Sequence, residues 1–498
     1  MKTLSILSLV IILASQALIG EPSVNDNQCV LLPVHGDPTI SFRIEFLVGF
    51  RNDPQGKEGI AAITGQMLTD AATTRNSYDA ILDQLFPLAA SYDASVNAEQ
   101  TVIYGRVHKD NLKEYVPLLL DAILHPAFKQ EDLDRIKSQT LNYLQNTIRY
   151  SSDEELGKAV LYNTVFAGTP YGHISAGTVS SVQSISIDDV RAFYTKFFTQ
   201  ANLVIGLGGG YDDALLAQLK NGLSALPAGV PVQQPKPAPA LPKVTRTVLI
   251  EKDAPATAIS LGFPITILRG EKDFYPLALA TSWLGEHRNS SSHLYQVIRE
   301  SRGLNYGDYA YIESYPNGGM RSTPPQNVCR NPQLFEIWIR PVPNETRVFA
   351  LRAAVREFDR LVGKGLSEKD FELTRNFLSK YTLHFAPTTM ERLGYALDDR
   401  YYGITGSHLE NYRTALKQMT LKDVNAAIKK YWGSGVMTIA VVTKDAAAMR
   451  DALLSNAPSP ITYKTPKPES VLTEDKDISS YPLGVKDAVV VGVEDLFK

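Results

Sequence analysis

Two stretches of this chain repeat one another in order and spacing, and such a duplication limits the fold more than any single motif does. Ser186-Ile187-Asp188-Asp189-Val190 leads into an aromatic-ended helical run closing at Phe197-Phe198. Thr420-Leu421-Lys422-Asp423-Val424 leads into one closing at Tyr431-Trp432. An apolar, strand-like run follows each, Asn202 to Leu207 and Val436 to Val442. Upstream, Leu156-Gly157-Lys158-Ala159 has its counterpart in Leu393-Gly394-Tyr395-Ala396, and the stretch from Asp132 matches the one from Asp370. Between the halves, residues 228–243 (AGVPVQQPKPAPALPK) are rich in Pro and have little to bury, which reads as a semi-extended connector. The division is a first repeat at 24–227, the connector, a second repeat at 244–457 and a tail at 458–498. In that tail the apolar Ala488 to Val493 is the part able to dock back.

Within each half, short β runs alternate with long amphipathic helices. Ile40 to Val48 alternates apolar and polar side chains, as a half-buried strand does, and Ser95 to Val107 also reads as strand. Ile60 to Leu68 and Asn111 to Leu124 carry helical spacing. The expectation is an α+β protein of two homologous domains, each a mainly antiparallel sheet with helices packed on one face, closing as a clam-shell. Gly206-Leu207-Gly208-Gly209-Gly210 follows a strand and reads as a tight turn, since phosphate cradling needs a fuller fingerprint.

Residues 1–20 read as a secretory signal peptide. Lys2 is followed by an apolar run from Leu4 to Ile12 too short to span a bilayer, then by small residues and a polar stretch. The expectation is an exported protein, periplasmic or secreted, with no membrane span after signal removal. Fifty basic residues against 53 acidic ones, with no basic cluster, leave no electrostatic footprint for nucleic acid. Cys29 and Cys329 are too few for a thiolate metal site. Two readings stand for them, a bridge joining the halves or two unrelated thiols.

The phrase Asp53-Pro54-Gln55-Gly56-Lys57-Glu58-Gly59-Ile60-Ala61, a Gly/Pro turn opening a helix, resembles the segment leading into the zinc helix of the pitrilysin/insulinase metallopeptidases. In that family the helix carries H-x-x-E-H: two histidines one turn apart hold zinc and the glutamate activates water. The matching positions here read Ala62-Ile63-Thr64-Gly65-Gln66. The family's third ligand, a carboxylate on a later helix, falls at Leu141 or Asn142, two turns from Glu131 and Asp134. Zinc needs about three protein ligands in such enzymes, so the departures at Ala62, Gly65, Gln66 and Leu141 imply no metal site and no cofactor on this chain. Glu286-His287 mimics the end of the motif, but Trp283 stands where the first ligand would be, and a surface or loop role is the reading for that pair.

The second repeat differs. Ser290-Ser291-Ser292 caps a helical run with Leu294, Val297 and Ile298 on one stripe, Gly303 fits its C-terminal stop, and Leu304 to Ile312 reads as a strand. Leu294 to Tyr306 (LYQVIRESRGLNY) resembles the family segment whose Arg and Tyr reach across to the zinc site. Carried over by position these are Arg299, to hold substrate backbone, and Tyr306, to donate to the oxyanion; Arg302 is the alternative arginine. Ser95 to Tyr104 resembles the family's edge strand for extended peptide, which implicates Ser95, Val96 and Asn97 in substrate binding. Some family members are heterodimers with zinc on one chain and the Arg/Tyr pair on the other. The resemblance therefore implies a metalloendopeptidase homologue inactive alone, working on peptides beside a related H-x-x-E-H-bearing subunit that carries the zinc. The alternative it leaves is a catalytically inactive binding or scaffolding protein of the same fold.

Overall fold

The computed structural model describes residues 24–233, 242–433 and 436–498. The signal-peptide reading at 1–20 and half of the connector, residues 234–241, lie outside them. Five strands form the first sheet: β1 (Cys29–Pro33), β2 (Thr39–Phe46), β3 (Ser91–Val96), β4 (Thr101–His108) and β5 (Leu203–Gly209), in the order β1-β5-β2-β4-β3. Only β1 and β5 run parallel. Six form the second: β6 (Thr245–Glu251), β7 (Ala256–Ile265), β8 (Asp308–Tyr311), β9 (Gln333–Pro343), β10 (Thr438–Thr443) and β11 (Val485–Gly492), in the order β11-β6-β10-β7-β9-β8. β11 comes from the C-terminal segment and pairs in parallel with β6, so Ala488 to Gly492 is a sheet edge.

The duplication is carried by capping and packing alike. Ser186 accepts the N–H of Asp189 at the start of the Ile187–Phe197 helix, and Thr420 accepts that of Asp423 at the start of Leu421–Trp432, with a reciprocal capping box in both. The Ile60–Thr69 helix packs on β3 and on the Gln130–Asn142 and Ile187–Phe197 helices. Its twin Phe274–Gly285 packs on β8 and on Glu368–Tyr381 and Leu421–Trp432.

The two halves exchange one helix each. Asp153–Val165, from the first half, lies on β7 and β10; Thr389–Tyr402, from the second, lies on β1, β2 and β5. Each sheet thus has its own helices outside and a borrowed helix inside. Leu156 and Leu161 of the borrowed helix are fully buried, and such a side chain contributes about 1.5–3 kcal/mol. The exchange corrects two sequence readings. β2 is buried on both faces, Ser41 and Glu45 included, instead of being half-buried. The Gly206–Gly210 run is no turn after a strand: Gly206 and Gly208 lie inside β5, where a Cβ would stand 3.2 Å from Leu397 Cδ1 and 3.0 Å from Thr389 Cγ2. Glycine is what lets the borrowed helix approach.

Polar ties close the clam-shell. Thr389 Oγ1 donates to Asp37 (2.8 Å), Arg340 pairs with Glu154 (2.8 Å), and the N–H groups of Asn317 and Gly318 donate to Glu155 (3.2 and 2.9 Å). Cys29 and Cys329 are both free. Cys329 is buried beside Asp398, its Sγ 3.2 Å from Oδ1. No helix among the described residues is long and apolar enough to cross a membrane.

Candidate functional site

The Ile60–Thr69 helix begins where Asp53 folds back over it, accepting the N–H of Gly59 (2.6 Å) and of Ala61 (3.0 Å). Ala62 and Gln66 are half-buried. Gly65 faces β3, where a Cβ would lie 3.0 Å from Val96 Cγ2 and 3.3 Å from Ala94 Cβ. Leu141 sits on the adjoining Gln130–Asn142 helix and packs against the first core. The structure thus puts all four positions on two touching helices, and none carries a metal-binding atom suited to zinc. Among the described residues no group of three or more His, Cys, Asp or Glu stands together to hold a metal ion.

The Arg/Tyr segment is built differently from the sequence reading. Tyr295–Glu300 is a π-helical turn, and Gly303 leaves it at φ +72°. The strand expected from Leu304 to Ile312 is shorter, covering Asp308–Tyr311, because Asn305 Nδ2 bridges to Asp308 (2.7 Å) and the Arg340 carbonyl (3.2 Å), holding Leu304 to Gly307 as a loop. Tyr306 is therefore on a loop rather than a strand and is 77% exposed, with the Arg299 guanidinium 5.2 Å from its ring centroid. Arg302, the alternative arginine, is spoken for: it is buried and bonded to Asp475 (2.8 Å) and Glu474 (2.9 Å).

Ser95, Val96 and Asn97 stand elsewhere. Ser95 and Val96 end β3, the sheet's edge, while Asn97 opens the turn to β4; the Ser95–Tyr104 stretch is a hairpin rather than one strand. All three line a cleft of about 330 Å³ between the halves. Asn97 Nδ2 donates across it to the Asn327 carbonyl (2.6 Å). The other walls hold residues that sequence reasoning missed. Lys158 donates to the Tyr315 carbonyl and places its ammonium 4.6 Å from the Trp338 ring centroid. Arg330 lies 4.1 Å from the Tyr162 ring centroid. Glu336 is buried with Oε1 unpartnered, and burial pushes its carboxyl up to about 7 against the pull of Lys158. A glutamate inside the apolar run of β9 is the signal that would have found it. Arg299 and Tyr306 do not line this cleft. The structure joins the edge strand to Lys158 and Glu336 and leaves the Arg/Tyr pair apart from them.

The Glu286-His287 pair lies on the loop that follows the Phe274–Gly285 helix, as the loop reading has it, but not at the surface. His287 is buried, with Nδ1 2.7 Å from the Tyr311 hydroxyl and Nε2 2.9 Å from the Arg321 carbonyl, so both ring nitrogens are spent.

Two family models match the chain, "Insulinase (Peptidase family M16)" over residues 30–179 and "Peptidase M16 inactive domain" over 184–378, together well over half of it. The chain belongs to the insulinase family. Within the family it is 24% identical over 394 residues to a "non-peptidase homolog YmxG" of Helicobacter pylori, covering 77% of this chain and 84% of that protein. It is 25% identical over 276 residues to an "uncharacterized zinc protease" of Rickettsia bellii, covering 55% of this chain and 64% of that one, so the match spans a little under two-thirds of that relative. The crystal structure of a peptidase M16 inactive domain from Pseudomonas fluorescens superposes with TM-score 0.74 at 22% identity, covering 84% of this chain and 95% of that one. The insulinase fold is present in both halves; the positions matched by resemblance to the family's ligands hold Ala62 and Gln66 on the Ile60–Thr69 helix and Leu141 on the Gln130–Asn142 helix.

Proposed function

We propose that this chain is the zinc-less subunit of an exported, periplasmic or secreted, insulinase-like metallopeptidase. It binds peptide and supplies Arg299 and Tyr306 to a related subunit carrying H-x-x-E-H, where zinc is bound. The observation that carries the reading is the Arg299–Tyr306 pair. The Arg299 guanidinium lies 5.2 Å from the Tyr306 ring centroid, no hydrogen bond among the described residues occupies the Tyr306 hydroxyl, and Tyr306 projects from a loop outside the chain's own cleft. A pair that stands outside the chain's own cleft supports a role toward a neighbouring chain rather than toward that cleft. When bound on the partner, zinc supplies the activated water. The Arg299 guanidinium then holds a substrate carbonyl, and the Tyr306 hydroxyl donates to the oxygen that gains charge at the scissile bond. A separate extended stretch of the peptide, away from that pair, is read through its main chain by the edge of β3 that ends at Ser95 and Val96.

The test is peptide cleavage by the mixed complex, with this chain as wild type, Tyr306→Phe or Arg299→Ala. Loss of one oxyanion donor costs about 10²–10³ in kcat, and that fall is expected for Tyr306→Phe with partner affinity unchanged. Full activity of both variants would sink the reading.

A second reading, a binding or scaffolding protein without part in hydrolysis, is favoured by the cross-ties that hold the two halves shut, such as Arg340–Glu154 and Asn97–Asn327. It predicts a stable mixed complex whose turnover equals that of the zinc-bearing subunit alone.

A further inference from the structure

The end of the Phe274–Gly285 helix borders a second cavity, of about 80 Å³, lined only by residues of the second half. It lies between the helices Phe274–Gly285 and Glu368–Tyr381, the twins of the two that carry Ala62, Gln66 and Leu141. Its wall carries several aromatic rings, among them Phe274, Tyr311, Phe385, Tyr395 and Tyr412. One acid on that wall has no counterion. Glu286 is in no ion pair among the described residues, and burial pushes its carboxyl up. Glu313, the other acid, is spent on Arg269 at 2.7 and 2.8 Å. The Ser282 hydroxyl beside Glu286 pulls its carboxyl down against burial, and one further polar atom of the wall, His408 Nδ1, is buried without a partner. Burial and the nearby Arg269 hold the His408 imidazole well below its ordinary pKa, so the ring is neutral.

We propose that this cavity binds a short alkylammonium ion, its charged head against Glu286 and its carbon chain among the tyrosine and phenylalanine rings. The chemistry selects a cation. Aromatic faces attract positive charge and are compatible with methylene groups. Ser282 Oγ and the Nδ1 of an Nε2-protonated His408 offer acceptors for ammonium N–H groups. An anion would meet Glu286, and an apolar guest would leave Glu286 without a counterion and His408 Nδ1 unsatisfied. A metal ion has no ligand set here, because both nitrogens of His287 are already bonded. The binding does not depend on whether the chain meets a zinc-bearing subunit.

Such a head group comes either as a free small amine or as the lysine side chain of a peptide. The whole chain would be titrated calorimetrically with n-butylammonium, with n-butanol as the neutral isostere and with N-acetyl-lysine methylamide. Saturable binding of n-butylammonium is expected, with n-butanol weaker by about tenfold or more for want of the charge. Glu286→Gln, which keeps the shape, is expected to erase that preference, and Ala278→Phe, which fills the cavity, to abolish binding of both. Competition by the lysine derivative would assign the site to peptide side chains, and its failure to a free amine. Equal affinity for n-butylammonium and n-butanol, no saturable binding, or an unchanged preference in a Glu286→Gln chain of native melting temperature would each overturn the proposal.

Discussion

Asp53 shows at the scale of one residue why a family phrase stands in a chain whose next helix has no zinc ligands. Its carboxylate takes the N–H groups of Gly59 and Ala61, two of the orphan donors that every helix leaves at its start. That work is structural and is the same with or without metal one turn further on. Asp53→Ala is expected to cost about 1–2 kcal/mol, the range for losing an N-terminal acceptor. Asp53→Asn, which keeps one acceptor oxygen, should cost less. Urea unfolding followed by circular dichroism reads both, and equal midpoints for all three chains would move the stabilisation elsewhere in the turn. Arg299 and Arg302 teach the complementary lesson. Three positions apart, Arg299 is the residue matched by position and Arg302 its alternative, and what separates them in the structure is Glu474 and Asp475, contributed from far along the chain by the Glu469–Ser479 helix. No local pattern contains that information.

At the scale of elements, the repeat was legible because capping boxes and helical stripes are local. Ser186 and Thr420 cap the helices that their sequences announce. The exchange of Asp153–Val165 and Thr389–Tyr402 was not legible. An amphipathic pattern says that a helix buries a face, not which sheet receives it. The glycines of the matched phrases, Gly157 and Gly394, mark the two crossings, yet their surroundings differ. A Cβ at Gly157 would meet Ser260 Oγ at 3.6 Å and Val442 Cγ2 at 3.7 Å, ordinary contact distances. A Cβ at Gly394 would meet Gln326 Cβ at 2.8 Å and the Arg43 guanidinium carbon at 3.2 Å. Alanine gains up to about 1 kcal/mol over glycine within a helix, whereas overpacking costs about 1–3 kcal/mol. Gly157→Ala is therefore expected to raise the melting temperature and Gly394→Ala to lower it. Shifts of the same sign in calorimetric scans would contradict the crossing geometry.

For the whole molecule, the cleft between the halves holds the chain's most informative charge. Glu336 projects from β9 of the second half, while Lys158 arrives on the helix borrowed from the first, so their proximity exists only in the closed clam-shell. Burial outweighs the attraction of Lys158 and raises the Glu336 carboxyl from 4.5 to about 7. The sign follows from proton counting. Between those two values the folded chain keeps a proton that the unfolded chain has released, so stability falls as pH rises through the window and stays lower above it. At 1.36 kcal/mol per unit, the penalty at pH 8 has a ceiling of about 3 kcal/mol. Glu336→Gln keeps the shape and removes the titration. It is expected to be neutral near pH 4.5 and stabilising by about 1–3 kcal/mol at pH 8, read as the difference between two denaturant midpoints. A variant that gained the same stability at both pH values would owe it to packing rather than to charge. If peptide binds along β3 as proposed, an extended chain through Ser95 and Val96 would enter the same cleft and, by placing an N–H donor against the unpartnered Oε1, would favour the ionised carboxylate. Stabilisation of the wild type by a saturating peptide should therefore grow from pH 5 to pH 8, while that of Glu336→Gln stays flat, and parallel profiles would place the peptide away from Glu336.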